Sequence, residues 1–294
     1  MGGGTRSLAS RVEVDGAGWE RAPWRQTPLR PARAALGARI ALGALVALVG
    51  FTAAALAGFA VFGRHPDLLA RYPGAGPVYA VAFTFFARTQ VALAFVALAV
   101  ALVHVAGARW LPALAAVYAA SLASELLGTT VGLPFGPYHY TDGLGAKWFG
   151  HVPVLIPLSW FTMAVPSLAL ARRAHPAATV VLGALVLLSW DLALDPAMSR
   201  VTTYWLWGGT GPYYGMPWSN LVGWFVTGLA LMAILVRLGA GAWTARLDRR
   251  WVAAFYATNL ALPLGMTAAA GYWGAVLVTV GALSGCALLQ SVLR

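Results

Sequence analysis

The chain has 294 residues, of which 60% are hydrophobic and only 10% charged, with a mean hydropathy of +0.73. That leaves too little polar surface to cover a soluble domain, so the composition points to an integral membrane protein. The formal charge of +11 would suit a nucleic-acid binder, but the basic residues fall between apolar runs rather than on one stripe with interleaved aromatics, so no nucleic-acid partner is expected.

Residues 1–36 are rich in Gly, Arg and Pro and hold no apolar period. They read as a flexible basic tail that keeps the N-terminus in the cytoplasm or lies on anionic lipid. The first apolar run, 36–62, is far longer than the roughly 7–15 residues of a secretory h-region, so no removable signal peptide is expected. Apolar runs of about 20 residues then recur to the end, the length an α-helix needs to cross roughly 30 Å of hydrocarbon. They do not alternate as barrel strands would.

The fold expected is therefore all-α: a polytopic membrane bundle forming a single domain over 37–294, with spans at about 37–62, 79–103, 111–130, 152–171, 177–195, 218–238, 251–269 and 272–290. The last pair, read as one helix, would reach about 60 Å, twice the membrane thickness. A tight turn near Gly271 is needed, with seven spans as the alternative count. An N-terminus inside puts Arg6, Arg11, Arg21, Arg25, Arg30, Arg33, Arg39, Arg109, Arg172, Arg173, Arg237, Arg246, Arg249, Arg250 and Arg294 on the cytoplasmic side. Only Arg64, Arg71, Lys147 and Arg200 fall outside, with Arg88 inside a span. This asymmetry is the positive-inside pattern and favours an even number of spans, both termini cytoplasmic, in the cell (inner) membrane. Cys286 is the sole cysteine, so no internal disulfide forms.

Two loops rich in glycine, proline and aromatics, about 131–151 and 196–217, then share the non-cytoplasmic side. Glu125, Asp191 and Asp195 sit near the outer ends of the spans that lead into them. Asp191 and Asp195 are four apart and share a helix face, and Asn220, at the outer start of span six, can join their layer. The loops also echo each other: Gly136-Pro137-Tyr138 precedes Pro153 and Trp160, and Gly211-Pro212-Tyr213 precedes Pro217 and Trp224. If this reflects duplication, spans three–four and five–six are parallel pseudo-repeats with a site at their interface.

An ionised acid inside a membrane costs several kcal/mol, so intramembrane carboxylates point to function by default. The bland alternative is that the three acids cap helices, meet headgroup water or pair with Arg88 or Arg200. A carboxylic acid kept protonated in a dry pocket is a proton donor. It can protonate an unactivated alkene, and a second carboxylate with aromatic faces can stabilise the carbocation. Trp160, Trp190, Trp205, Trp207, Trp224, Tyr138, Tyr140, Tyr213 and Tyr214 supply such faces, although an interfacial aromatic belt is expected to account for more than half of them. His139 and His151 show no metal-ligand spacing, so no metal is expected. His139, between two tyrosines, reads instead as a hydrogen-bonding residue or proton relay. Lys147 and Asp142 lie in the outer loop and read as solvated.

The runs E-L-L-G-x-x-x-G-x-P-F-G-x-Y-x-Y (Glu125–Tyr140), G-x-V-P-x-x-I-P-x-x-W (Gly150–Trp160), W-D-L-x-L-D-P (Trp190–Pro196) and Y-Y-G-x-P-x-x-N-x-x-G-W (Tyr213–Trp224) together resemble the bacterial and archaeal carotenoid biosynthesis membrane-protein family. That family includes carotenoid 1',2'-hydratases and bisanhydrobacterioruberin hydratases. The resemblance covers roughly residues 40–290. It implies cofactor-independent addition of water to the terminal double bond of an acyclic (ψ) carotenoid end, giving a tertiary alcohol. The substrate would be similar to lycopene, γ-carotene or a longer relative. The partners implied are this carotenoid and the lipid bilayer, with other carotenoid biosynthesis enzymes as candidates.

The assignment of the catalytic acids comes from membrane physics, not from the resemblance. One of Asp191 or Glu125 protonates the alkene, and Asp195 or the remaining carboxylate stabilises the cation and deprotonates the attacking water. Tyr138, His139, Tyr140, Trp160, Trp190, Trp205, Tyr213, Tyr214, Asn220 and Trp224 are the expected substrate-binding residues. Three alternatives stay open: a prenyltransferase using Asp191 and Asp195 as a Mg-diphosphate pair, a carotenoid cyclase, and a proton-coupled transporter or carotenoid-binding protein.

Overall fold

The computed structural model describes residues 31–65, 67–173 and 175–292. The tail expected over 1–36 lies, up to residue 30, outside the described residues. From there the chain is a helical bundle: α1 (Pro31–Gly58), which continues as a π-helical turn over Phe59–Gly63, the short α2 (Asp67–Arg71), α3 (Gly76–Ala106), α4 (Leu111–Val131), α5 (Leu155–Ala171), α6 (Pro176–Asp195), α7 (Trp218–Arg237), the short α8 (Ala240–Thr244), α9 (Arg249–Ala269) and α10 (Trp273–Val292). Seven of these are long and apolar enough to cross a membrane. α5, with 17 residues, is a shorter apolar helix. All eight expected segments are thus helical, and the protein is a multi-pass membrane protein.

Local chemistry sets the boundaries. Pro176 opens α6, where its missing N–H has no helical acceptor to serve. Asp248 caps α9 by accepting a hydrogen bond from the Trp251 backbone N–H at 2.8 Å. The expected turn between the last two spans is present at Gly271, whose φ of +83° is a left-handed value that a Cβ would strain. α6 ends its regular hydrogen bonding at Asp195, where Pro196 begins a π-helical segment to Val201.

α3, with the short 3-10 turn before it, spans Pro73–Ala106, 34 residues or about 50 Å. This exceeds the roughly 30 Å hydrocarbon thickness. Arg88 stands near the middle of this segment, on the side nearer its start. It donates from Nε to the Gly143 carbonyl at 2.9 Å and from a terminal nitrogen to the Asp142 carbonyl at 3.1 Å. The alternative in which Arg88 pairs with a buried acid therefore does not hold: the guanidinium ties the 142–145 turn to α3. Arg200 likewise makes no ion pair with the three acids; it lies against Gly215.

The two long loops meet at one end of the bundle. Strand β1 (Tyr138–Tyr140) pairs antiparallel with β4 (Trp205–Trp207), in the register Tyr138↔Trp207 and Tyr140↔Trp205. A smaller pair, β2 (Lys147–Trp148) with β3 (Val152–Pro153), closes the first loop. Lys147 and Asp142, expected to be simply solvated, form an ion pair in which Asp142 stays exposed. Nζ of Lys147 meets Asp142 Oδ1 at 2.8 Å and donates to the Tyr140 carbonyl, also at 2.8 Å. The Lys147 hydrogen bond and charge hold the Asp142 carboxyl below its ordinary value.

Candidate functional site

Successive strand residues face opposite sides, and the β1–β4 ribbon uses this to aim four aromatics into the bundle. Tyr138, Tyr140 and Trp205 are buried and Trp207 is half-buried, while His139 and Leu206 face out. The ribbon thus forms a lid, its inner face aromatic, over the ends of α4, α6 and α7. The lid can settle against α4 because residue 128 is glycine. A Cβ there would lie 2.8 Å from the rings of both Phe135 and Tyr138.

Under the lid sit the three acids and Asn220, all buried. Glu125 accepts three hydrogen bonds: the Trp160 indole N–H at 2.8 Å on Oε1, and the hydroxyls of Tyr140, at 2.8 Å, and Tyr138 on Oε2. Burial, and then the neighbouring Glu125, push both phenols well above the ordinary tyrosine range, so they remain O–H donors at physiological pH. Asp195 accepts the indole N–H groups of Trp205 (3.2 Å) and Trp207 (3.1 Å) on Oδ1, and the Asn220 amide (2.9 Å) on Oδ2. The same amide nitrogen reaches Asp191 Oδ2 at 3.3 Å, as two acids on one helix face allow. Asp191 Oδ1 has no partner.

A cavity of about 410 Å³ runs from this layer to the surface. Glu125, Asp195, Asn220, Tyr138, Tyr140, Trp160, Trp190, Trp205, Trp207 and Trp224 line its inner part. Phe59 and Phe62 of the π turn, Ala75 of the 3-10 turn before α3, and Val78 and Tyr79 of α3 line its outer part, where Phe62 and Val78 are exposed. Trp160 and Trp224 stack, and Trp190 meets Trp224 edge-on. Trp190 is anchored by a helix defect: Pro263, inside α9, cannot donate to the Asn259 carbonyl one turn back, and the Trp190 indole N–H fills the vacancy at 3.3 Å.

Several expectations need correcting against this geometry. Asp191 is adjacent to the cavity but does not line it. His139 faces a separate shallow hollow with Pro137 and Gly208, because it occupies the outward position of β1. Tyr213 and Tyr214 are also outside the cavity. The Tyr213 hydroxyl donates to the Leu192 carbonyl at 2.7 Å, and Tyr214 stacks on Tyr272 and accepts from the Ala275 N–H. Of the nine aromatics, all but Tyr213 and Tyr214 line the cavity. Two groups were missed: Trp207 as a carboxylate donor, and Gln90, a cavity-lining amide in an otherwise apolar stretch of α3.

A family model described as carotenoid biosynthesis protein matches residues 86–286, which hold every acid and aromatic of this layer. The chain belongs to that family. Among curated proteins, the bisanhydrobacterioruberin hydratase of Haloarcula japonica is 31% identical over 122 residues, covering 40% of this chain and 41% of the relative. The similarity thus spans less than half of that enzyme. No solved structure matches. Membership in the carotenoid biosynthesis family and the hydratase relative support a carotenoid-modifying enzyme.

Proposed function

We propose that the protein adds water across the terminal double bond of an acyclic carotenoid end group, giving a tertiary alcohol. The observation that carries this reading is the pairing of two carboxyl groups, Glu125 and Asp195, on the wall of one aromatic cavity. No lysine or arginine pairs with either acid among the described residues. The end group enters between the π turn of α1 and the start of α3, with the polyene trailing into the bilayer.

The hydrogen-bond partners divide the labour. Glu125 is touched by two phenols, which can both donate and accept, so it can be reprotonated through Tyr138 and Tyr140. Asp195 is touched by indole and amide N–H groups, which only donate, so it is held as an acceptor. In this reading Glu125 gives its proton to the CH carbon of the terminal alkene, leaving a tertiary cation on the dimethyl carbon. Trp160, Trp190 and Trp224 face the cation. Water adds to that carbon and its released proton passes to Asp195. Asp191 acts from behind, by sharing Asn220 with Asp195.

The donor set bears on the alternatives. N–H groups occupy both oxygens of Asp195, which disfavours its use as a Mg-diphosphate ligand. A cyclase would share the protonation step and differ only in the trap. By the positive-inside pattern the lid faces the non-cytoplasmic side of the cell membrane.

The test is expression in a lycopene-producing bacterial host followed by mass analysis of extracted pigment. A gain of one or two waters per molecule, lost in Glu125→Gln, is the expected result. An unchanged mass with a shifted absorption spectrum would replace hydration by cyclisation.

A further inference from the structure

The polar inventory of the cavity holds one group that the acid–base pair does not use. Gln90 of α3 is 6% exposed, lines the cavity, and is surrounded on its own helix by Phe86, Ala87, Val91 and Ala94. Its Oε1 lies 3.1 Å from the hydroxyl of Thr52 on α1, and its Nε2 has no partner. Thr52 has a single hydroxyl proton, and the Leu48 carbonyl, 2.8 Å away, is the closer acceptor for it. With the amide turned over, Nε2 donates to Thr52 and Oε1 is left open instead. In either orientation one end of the amide is satisfied by Thr52 and the other is not.

A Gln–Thr bond between helices can serve simply to hold them together, but that leaves the free end of the amide unexplained. Buried polar groups find partners, and where protein supplies none an ordered water does. Depth matters here. Counting from the tight turn that joins α3 to α4, Gln90 is about 24 Å along α3 and Glu125 about 21 Å along α4. The two residues are thus at similar counts from the turn, and Gln90, Glu125 and Asp195 line the same cavity.

We propose that Gln90, oriented by Thr52, holds the water that captures the carbocation. This rests on the hydration reading above. Water suits the site because it can accept from Nε2 or donate to Oε1, so the orientation of the amide does not matter. It remains in the cavity while the apolar end group fills the rest. Asp195, on the same wall system, receives the proton that the water loses when its oxygen bonds to the tertiary carbon. Gln90 is then what makes the cation end as an alcohol. Without a held water, the cation loses a proton from a neighbouring carbon and returns to an alkene.

The experiment measures that partition. Wild type and Gln90→Leu are reconstituted in lipid with an acyclic carotenoid in D2O. Alcohol and deuterium-labelled alkene are then quantified by mass spectrometry. The expected result is that Gln90→Leu still puts deuterium into recovered alkene while its alcohol-to-labelled-alkene ratio falls at least about tenfold, with Thr52→Val intermediate. An unchanged ratio in Gln90→Leu overturns the proposal, whatever happens to total turnover. A second measurement is independent of activity: a high-resolution map of the wild-type protein should show a water within hydrogen-bond distance of the Gln90 amide. Absence of that water overturns the site. Wild type that neither hydrates nor exchanges any acyclic carotenoid overturns the hydration reading instead, while the map still decides whether Gln90 holds water.

Discussion

Trp160 and Trp224 lie face to face, with ring centroids 4.0 Å apart and planes inclined by 24°. Each stands two helical turns after a loop proline, Pro153 and Pro217 respectively, so the echo between the two loop regions has a meeting point in space. The two tryptophans are not equivalent, because only the Trp160 indole also donates to Glu125. Trp224→Phe should lose part of the stack, about 0.5–1.5 kcal/mol, and keep most activity. Trp160→Phe strips a donor from a buried acid, an interaction of about 1.5–3 kcal/mol. Its conversion of carotenoid should fall roughly 10- to 100-fold. Thermal melts in detergent and pigment conversion, measured side by side, check the contrast.

The three acids should separate into two classes. Glu125→Gln and Asp195→Asn each remove a carboxyl that lines the cavity and should lower turnover by about 100-fold or more, the scale of general acid–base catalysis. Asp191→Asn leaves the cavity wall intact and should cost roughly tenfold or less. Equal losses at Asp191 and Asp195 would place Asp191 in contact with substrate. Initial rates in membranes of matched protein content make the comparison.

The alternation of β1 gives a test within three residues. Tyr140→Phe removes a donor to Glu125 and should reduce activity, whereas His139→Cys changes only the outward face and should be silent. In a Cys286→Ser background the same cysteine reports sidedness. A membrane-impermeant maleimide should label it from the non-cytoplasmic side of intact cells, and labelling only in inverted vesicles would reverse the orientation.

Gly128 explains the glycine of the E-L-L-G run. Gly128→Ala drives a methyl into the Phe135 and Tyr138 rings and should destabilise the lid by about 1–3 kcal/mol, the range for overpacking. Because Tyr138 also donates to Glu125, activity should fall along with the melting temperature. A variant with unchanged melting and activity would mean that the lid docks elsewhere.

Much of this was legible in the sequence because lipid imposes simple rules. Helices of about 20 apolar residues are visible as runs, the Gly271 turn follows from bilayer thickness, and acids stand out where charge is costly. The i, i+4 spacing of Asp191 and Asp195 also predicted a shared face. It could not say which of the two reaches a cavity, since that depends on where α7 and the lid pack. The Y-H-Y and W-L-W alternations are present in the sequence, but three residues are too few to establish a period. Gln90 gave no signal because an uncharged amide in a membrane helix is commonly interhelical glue. The anchoring of Trp190 by a carbonyl that Pro263 frees joins two distant helices and leaves no local trace.

The size of the cavity limits what one visit can accomplish. At about 410 Å³ it is near the small end of molecular binding sites, which run from roughly 300 to 1,000 Å³. On the hydration reading it would enclose only the tip of a long polyene and leave the remainder among the lipid tails. A carotenoid with two equivalent tips would then have to withdraw, reverse and dock again before its second tip is reached. Modification would be distributive, with the singly altered carotenoid a free species in the bilayer, open to capture by any other enzyme that shares the membrane.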